Sequence, residues 1–154
     1  MVKRLSDMPE VEAVHLRRIE CPTYADTPPL PGKPLAQRRV AIVSTAGLHR
    51  RGDRPFQPGD GSYRIIAAGT PANELVMSHI SVNFDRTGFQ QDLNVAFPID
   101  RLRELVAGGE VGSMAAVHYS FMGAFPPEAA EPHAGHLAGL LKADKVDAVL
   151  LVPV

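Results

Sequence analysis

Two short apolar runs limit what this chain can fold into. Arg39–Ser44 (RVAIVS) and residues 146–152 (VDAVLLV) are dense in β-branched and aliphatic side chains, and too short for buried helices. Both read as buried strands. Between them, residues 98–107 (PIDRLRELVA) carry a helical apolar spacing, with proline near the start and Gly108-Gly109 at the end. Glu131–Ala143 reads as another helix, and Tyr63–Ala67 and residues 115–121 (AAVHYSF) as further strands. Helices alternating with buried strands predict an α/β layer, a single domain with a largely parallel sheet flanked by helices.

The rest of the chain is punctuated by 14 prolines and 13 glycines. Residues 9–20 have helical spacing, and residues 22–34 read as an extended, proline-rich connector. The expected organisation is an N-terminal helix and arm over residues 1–37, then an α/β domain over residues 38–154. Residues 44–62 read as one long polar loop, and residues 71–77 as about one helical turn. The last apolar run is followed only by Pro153-Val154. A core strand normally continues into a loop and a covering element, so the expected domain lacks its C-terminal part.

Composition narrows the function classes. A net charge of −1 over 154 residues gives no global field for nucleic acid. One cysteine, Cys21, excludes an internal disulfide and a cysteine-based zinc cage. The N-terminus carries no apolar signal core, and no run approaches the ~20 apolar residues of a membrane span. The expectation is a soluble, cytoplasmic protein.

Several polar groups can carry chemistry. The 44–62 segment offers Thr45, His49, Arg50, Arg51, Asp53, Arg54 and Asp60 among four glycines. Its arginines fit a bidentate carboxylate clamp, and equally a solvated loop with internal Arg–Asp pairs. His79 with Asp85 fits a general acid–base and its orienting partner; Ser78, Asp85, Arg86, Gln90 and Asp92 also fit turns and caps. His118 and Ser120 share one strand face, where a core histidine is the simpler reading. His133 and His136 share a helix face, as a metal pair or as a surface pair. Cys21 has no base beside it in sequence. No GxGxxG, GxxxxGK[ST] or GxSxG motif is present.

Longer runs carry a resemblance. AIVSTAGLHRRGDRPF, GDGSYRII, SHISVNFDRTGFQQDLNVAFPIDRLRELV, VHYSFMGA and LLKADKVDAVLLVPV, spread over residues 38–154, resemble the selenoprotein B family of the glycine, sarcosine, betaine and D-proline reductases. Within that family the chain is more similar to the short, D-proline-reductase-like forms. The resemblance implies reductive cleavage of a C–N bond beside a carboxylate in a small amino-acid or betaine-like substrate. It implies a selenolate or thiolate as nucleophile, a pyruvoyl group on a partner subunit, and a dithiol protein as redox partner. It also implies that selenocysteine or cysteine follows the strand resembling DAVLLVPV, so the expected position is directly after Val154. The chain to Val154 would then lack the redox residue and be inactive alone, and its exposed strand edge invites self-association as a homo-oligomer.

On that resemblance, His79 and Asp85 are the expected proton-handling pair. His49, Arg51, Asp53, Arg54, Arg86 and Gln90 are the expected substrate-binding residues. Two other functions compete. One is a non-catalytic binding or accessory protein of the same family. The other is a metal-dependent hydrolase using His49, Asp53, His79 and Asp85, which lacks a compact ligand spacing.

Overall fold

The computed structural model describes residues 4–20, 22–27, 30–81 and 86–154. Its strands are β1 (Arg39–Ser44), β2 (Leu48–Arg50), β3 (Tyr63–Ala67), β4 (Leu75–Met77), β5 (Ser113–Met114), β6 (Val117–Phe121) and β7 (Ala148–Val152). Its α-helices are α1 (Glu10–Arg17), α2 (Thr87–Gln91), α3 (Ile99–Ala107) and α4 (Glu131–Ala143). The fold is α/β, with a mixed, mostly parallel sheet flanked by helices. Cys21 and Asp85 lie outside the described residues. No helix among the described residues is long and apolar enough to cross a membrane.

β1 is the axis of a five-stranded sheet. Val40 and Val43 each pair with both edges' neighbours, β5 or β6 on one side and β7 on the other, all parallel to β1. β3 lies antiparallel outside β6. Alternate β1 residues feed two cores. Val40 and Ile42 pack with Phe97, Ile99, Leu102 and Val111 on the α3 side. Val43 packs with Tyr119, Phe121 and Leu137 on the α4 side. Full burial of a side chain such as Ile42 contributes about 1.5–3 kcal/mol relative to exposure, so a strand buried on both faces is largely apolar, and its one buried hydroxyl, Ser44, is hydrogen-bonded.

Pairing along one edge of β1 is interrupted. From Val40↔Met114 to Val43↔Tyr119, β1 advances three residues and its neighbour five. The two extra residues form a bulge between β5 and β6 and displace the carbonyl that Ile42 N–H would otherwise meet. His118 supplies the replacement: Ile42 N–H donates to His118 Nδ1 at 2.9 Å. Arg39 ties the same region to the end of α4. Its guanidinium donates to Asp144 Oδ1 at 2.7 Å, to Asp144 O at 2.8 Å and to Met114 O at 2.8 Å. Asp144 Oδ2 accepts from Ala116 N–H in the bulge at 3.1 Å.

Helix ends follow from local chemistry. Asn94 Oδ1 accepts the Asp100 N–H at the start of α3, at 2.9 Å. Gly109, at φ 76°, closes the other end in the left-handed region. Two expectations change. The 44–62 segment is not structureless, because β2 pairs antiparallel with β4 as a separate two-stranded sheet. Residues 71–77 hold the expected helical turn as a 3₁₀ turn (Ala72–Glu74), but it runs straight into a strand, β4. Strands this short leave no readable alternation in sequence.

His118 makes the fold acid-sensitive. Burial, with Arg103 and Arg39 nearby and Asp144 opposing, lowers its pKa from 6.5 to about 4. The unfolded chain binds this proton at about 6.5 and the folded chain does not until about 4. Stability contributed by neutral His118 is therefore complete above pH 6.5 and lost as pH falls to 4, by on the order of 3 kcal/mol. Urea unfolding across this window is expected to show that decline. His118→Phe is expected to flatten it, while costing about 1–3 kcal/mol at pH 7 by leaving Ile42 N–H without an acceptor.

Candidate functional site at the carboxyl ends of the parallel strands

The chain turns sharply after β1. Ala46 N–H donates to Ser44 Oγ at 3.2 Å, Ser44 Oγ–H to Ala96 O at 2.7 Å, and Leu48 N–H to Ser120 Oγ at 2.8 Å. All three hydroxyl–backbone bonds are buried. They fix residues 45–48 over the carboxyl ends of β1 and β6, where open α/β sheets carry their chemistry.

Two glycines let the elements close on this point. Gly47, at φ 67°, donates its N–H to Phe121 O at 2.8 Å and accepts from Ser78 N–H at 2.9 Å. A Cβ on Gly47 would stand 2.8 Å from His79 N. Gly123, at φ 85°, lies on the opposite wall; a Cβ there would stand 2.6 Å from Thr45 O and 3.3 Å from His79 Nε2. The site therefore brings Thr45, His79 and Gly123 together. Thr45 also reaches the end of β7: its N–H donates to Val152 O at 3.1 Å, and its Oγ1 accepts Val154 N–H at 2.9 Å.

His79 is buried, and its Nδ1 accepts Ser81 N–H at 3.1 Å. The neutral ring must then carry its proton on Nε2, the nitrogen facing Gly123. Burial first, and the Arg86 guanidinium second, hold the His79 pKa below its ordinary value. At neutral pH the ring is a neutral donor. Arg86 is placed to act this way because its Nη2 donates to His79 O and, at 3.4 Å, to Ser81 O.

A cavity of about 410 Å³ opens beside Thr45 and Gly123, walled by Tyr24, Phe125, Pro127 and Glu131 among others. Two aromatic rings and one carboxylate beside a strand terminus suit a small cationic or zwitterionic ligand.

The other expected site residues lie elsewhere. His49 is buried on β2, its Nδ1–H donating to Arg50 O at 2.9 Å and its ring edge-on to Phe56. Arg51 Nη2 donates to Asn73 O at 3.2 Å. Asp53 Oδ2 accepts Arg50 N–H at 3.2 Å and closes the turn after β2. Arg54 is exposed, and its carbonyl accepts from Arg64 Nε at 2.9 Å. Gln90 lines a separate groove of about 300 Å³ with Phe89 and Leu93. Of the six expected binding residues, Arg86 is the one tied to His79.

His118 and Ser120 serve the main chain, as described. His133 and His136 pack around Tyr63, whose hydroxyl stands 2.8 Å from His136 Nδ1. Among the described residues, no three His, Cys, Asp or Glu side chains gather closely enough to hold a metal. Gly123, Tyr24, Phe125 and Glu131 were not legible as site residues. The one available signal was position, because STAG directly follows a buried parallel strand.

Comparison with known proteins identifies the family. Residues 20–154 match the family described as glycine/sarcosine/betaine reductase selenoprotein B. The chain belongs to the selenoprotein B family. It is 34% identical over 122 residues to the D-proline reductase subunit gamma of Acetoanaerobium sticklandii, covering 77% of this chain and 50% of that one. The chain thus spans about half the length of this relative. No solved structure matches it.

Gly123 is the steric keystone of the crevice. Gly123→Ala combines a left-handed φ with overlap on Thr45, and is expected to destabilise by at least about 1–3 kcal/mol. Gly52→Ala has a comparable φ of 92° but nothing within 4 Å, so it reports the backbone strain alone. Thermal unfolding of both variants is expected to show a clearly larger loss at Gly123; equal losses would remove the close approach from the account.

Proposed function

We propose that this chain is part of a reductase subunit that cleaves a C–N bond in a small amino-acid or betaine-like substrate, in the reducing cytoplasm. The observation that carries the reading is the family match over residues 20–154. The crevice at the carboxyl ends of β1 and β6 supports it, since Thr45 binds the main chain at Val154 and borders Gly123, which stands against His79.

In this reading a selenocysteine or cysteine directly follows Val154. The chemistry it would supply is displacement: a C–Se or C–S bond would form as the C–N bond breaks and the amine leaves; one thiol would then attack the selenium or sulfur, breaking that C–Se or C–S bond as the carbon takes a proton, and a second thiol would free the selenol or thiol by forming a disulfide. A pyruvoyl group on a partner subunit would activate an amine substrate, and a dithiol protein would supply the reducing thiols. This chain's own residues bind and orient. His79 Nε2–H donates toward the crevice, either to the selenolate or thiolate or to the leaving nitrogen. Glu131, Tyr24 and Phe125 receive the cationic end of the substrate. Arg86 keeps His79 neutral and so able to serve as a donor at neutral pH.

The gene beyond the Val154 codon decides the central point. An in-frame UGA or Cys codon followed by further coding sequence is expected. An ordinary stop with no open frame beyond it would remove the reductase reading and leave the accessory-binding one. Given the longer product, His79→Gln in the complete enzyme is expected to lower kcat about 10²–10⁴-fold in amine-release assays with dithiol, using glycine, sarcosine, betaine and D-proline.

A further inference from the structure

The last step of the β1–β7 ladder is made by a side chain. Backbone pairing runs from Val40↔Ala148 to Ser44↔Val152, and Thr45 N–H extends it to Val152 O at 3.1 Å. Beyond that, β1 has turned away toward Gly47. The main chain at Val154 would have no strand to pair with, yet its N–H donates to Thr45 Oγ1 at 2.9 Å, and the same hydroxyl lies 3.4 Å from Val154 O. One threonine thus carries two successive steps of the ladder, the first with its backbone and the second with its hydroxyl.

The hydroxyl has little room to do anything else. Thr45 is β-branched, so few χ1 rotamers are open to it. Its other side is closed by Gly123, where any side-chain carbon would stand 3.0 Å from Thr45 Cβ. A Cβ on Gly123 would also stand 3.3 Å from His79 Nε2, so this position borders both the clamp and the imidazole. The bond from Thr45 to Val154 consequently fixes where the chain leaves the sheet relative to His79.

We infer that Thr45 is a positioning residue, clamping the main chain at Val154 so that the next residue emerges into the crevice beside His79 and Gly123. What that next residue does rests on the proposed reductase reading. The clamp itself does not.

The test uses this chain with one cysteine appended after Val154, in a Cys21→Ser background so that a single thiol reacts. Thr45→Val and Thr45→Ser are compared with the parent by amide exchange at Val154 and by the pH profile of thiol alkylation. Circular dichroism and β1 amide protection establish that all three share the fold. The expected result is Val154 exchange at least about tenfold slower in the parent and in Thr45→Ser than in Thr45→Val, from loss of one hydrogen bond. The thiol is expected to titrate about one pH unit lower in the first two, because His79 Nε2–H donates to the thiolate only when it is held there. Equal exchange in all three proteins overturns the clamp. A thiol profile indifferent to Thr45→Val overturns the placement beside His79. The reductase reading fails separately, on the codon after Val154 or on absent C–N cleavage by the complete enzyme, and either failure leaves the Thr45 measurements standing.

Discussion

The structure depends on satisfying the main chain of β1 along both edges. β1 is buried on both faces, so an unpaired N–H there would cost a full desolvation penalty with no water to relieve it. The β7 edge is regular. The other edge is not, because two extra residues separate the β5 and β6 registers. An imidazole nitrogen from His118 stands in for the missing carbonyl, and this is what lets β6 resume pairing at Val43. His118 must stay neutral to accept that proton, so the same bond that repairs the sheet weakens as the pH falls.

The consequence is felt at the far end of the strand. Once β6 resumes in register, Ser120 and Ser44 sit beneath the 45–48 turn and hold it with buried hydroxyl bonds. That turn presents Gly47 to His79 and Thr45 to Gly123. The polar residues of this region thus form a graded series. Those deepest in the sheet, His118, Ser120 and Ser44, spend their hydrogen bonds on backbone. Those at the rim, Thr45 and His79, bond to backbone and border the crevice.

Much of the fold was legible because long apolar segments report their own period. β1, β3 and α4 fall where RVAIVS, YRIIA and the 131–143 helix were expected. β2 and β4 were not legible, since LHR and LVM are three residues each and pair with one another rather than joining the main sheet. The bulge was invisible for a different reason: AAVHYSF alternates acceptably, and only the partner strand reveals the slip. The site was half legible. His79 stood out by its chemistry within a run resembling known reductases. The arginines of the 50–54 segment stood out equally, but Arg51 gives its guanidinium to Asn73 O in the turn before β4. Composition reveals which side chains can clamp an anion, not which are already committed to a backbone carbonyl.

The hydrogen bond at His79 Nδ1 decides between two kinds of proton chemistry. In a histidine–carboxylate dyad, the carboxylate accepts from Nδ1–H, which leaves Nε2 free to take a proton as a base. Here Nδ1 accepts Ser81 N–H, which assigns the neutral ring's proton to Nε2. The neutral ring can only donate from Nε2. Protonation would require Nδ1 to give up the Ser81 bond in a buried setting beside the Arg86 cation, and both burial and that charge oppose it. A donor of this kind cannot generate a nucleophile by removing a proton. It can stabilise one that is already ionised, or protonate a group as it leaves. That suits a selenolate, which is largely ionised at neutral pH, better than a serine or a water that needs a base. It also places the metal-dependent hydrolase reading at a further disadvantage, because the Nδ1 lone pair that would serve as a ligand is already spent on the backbone.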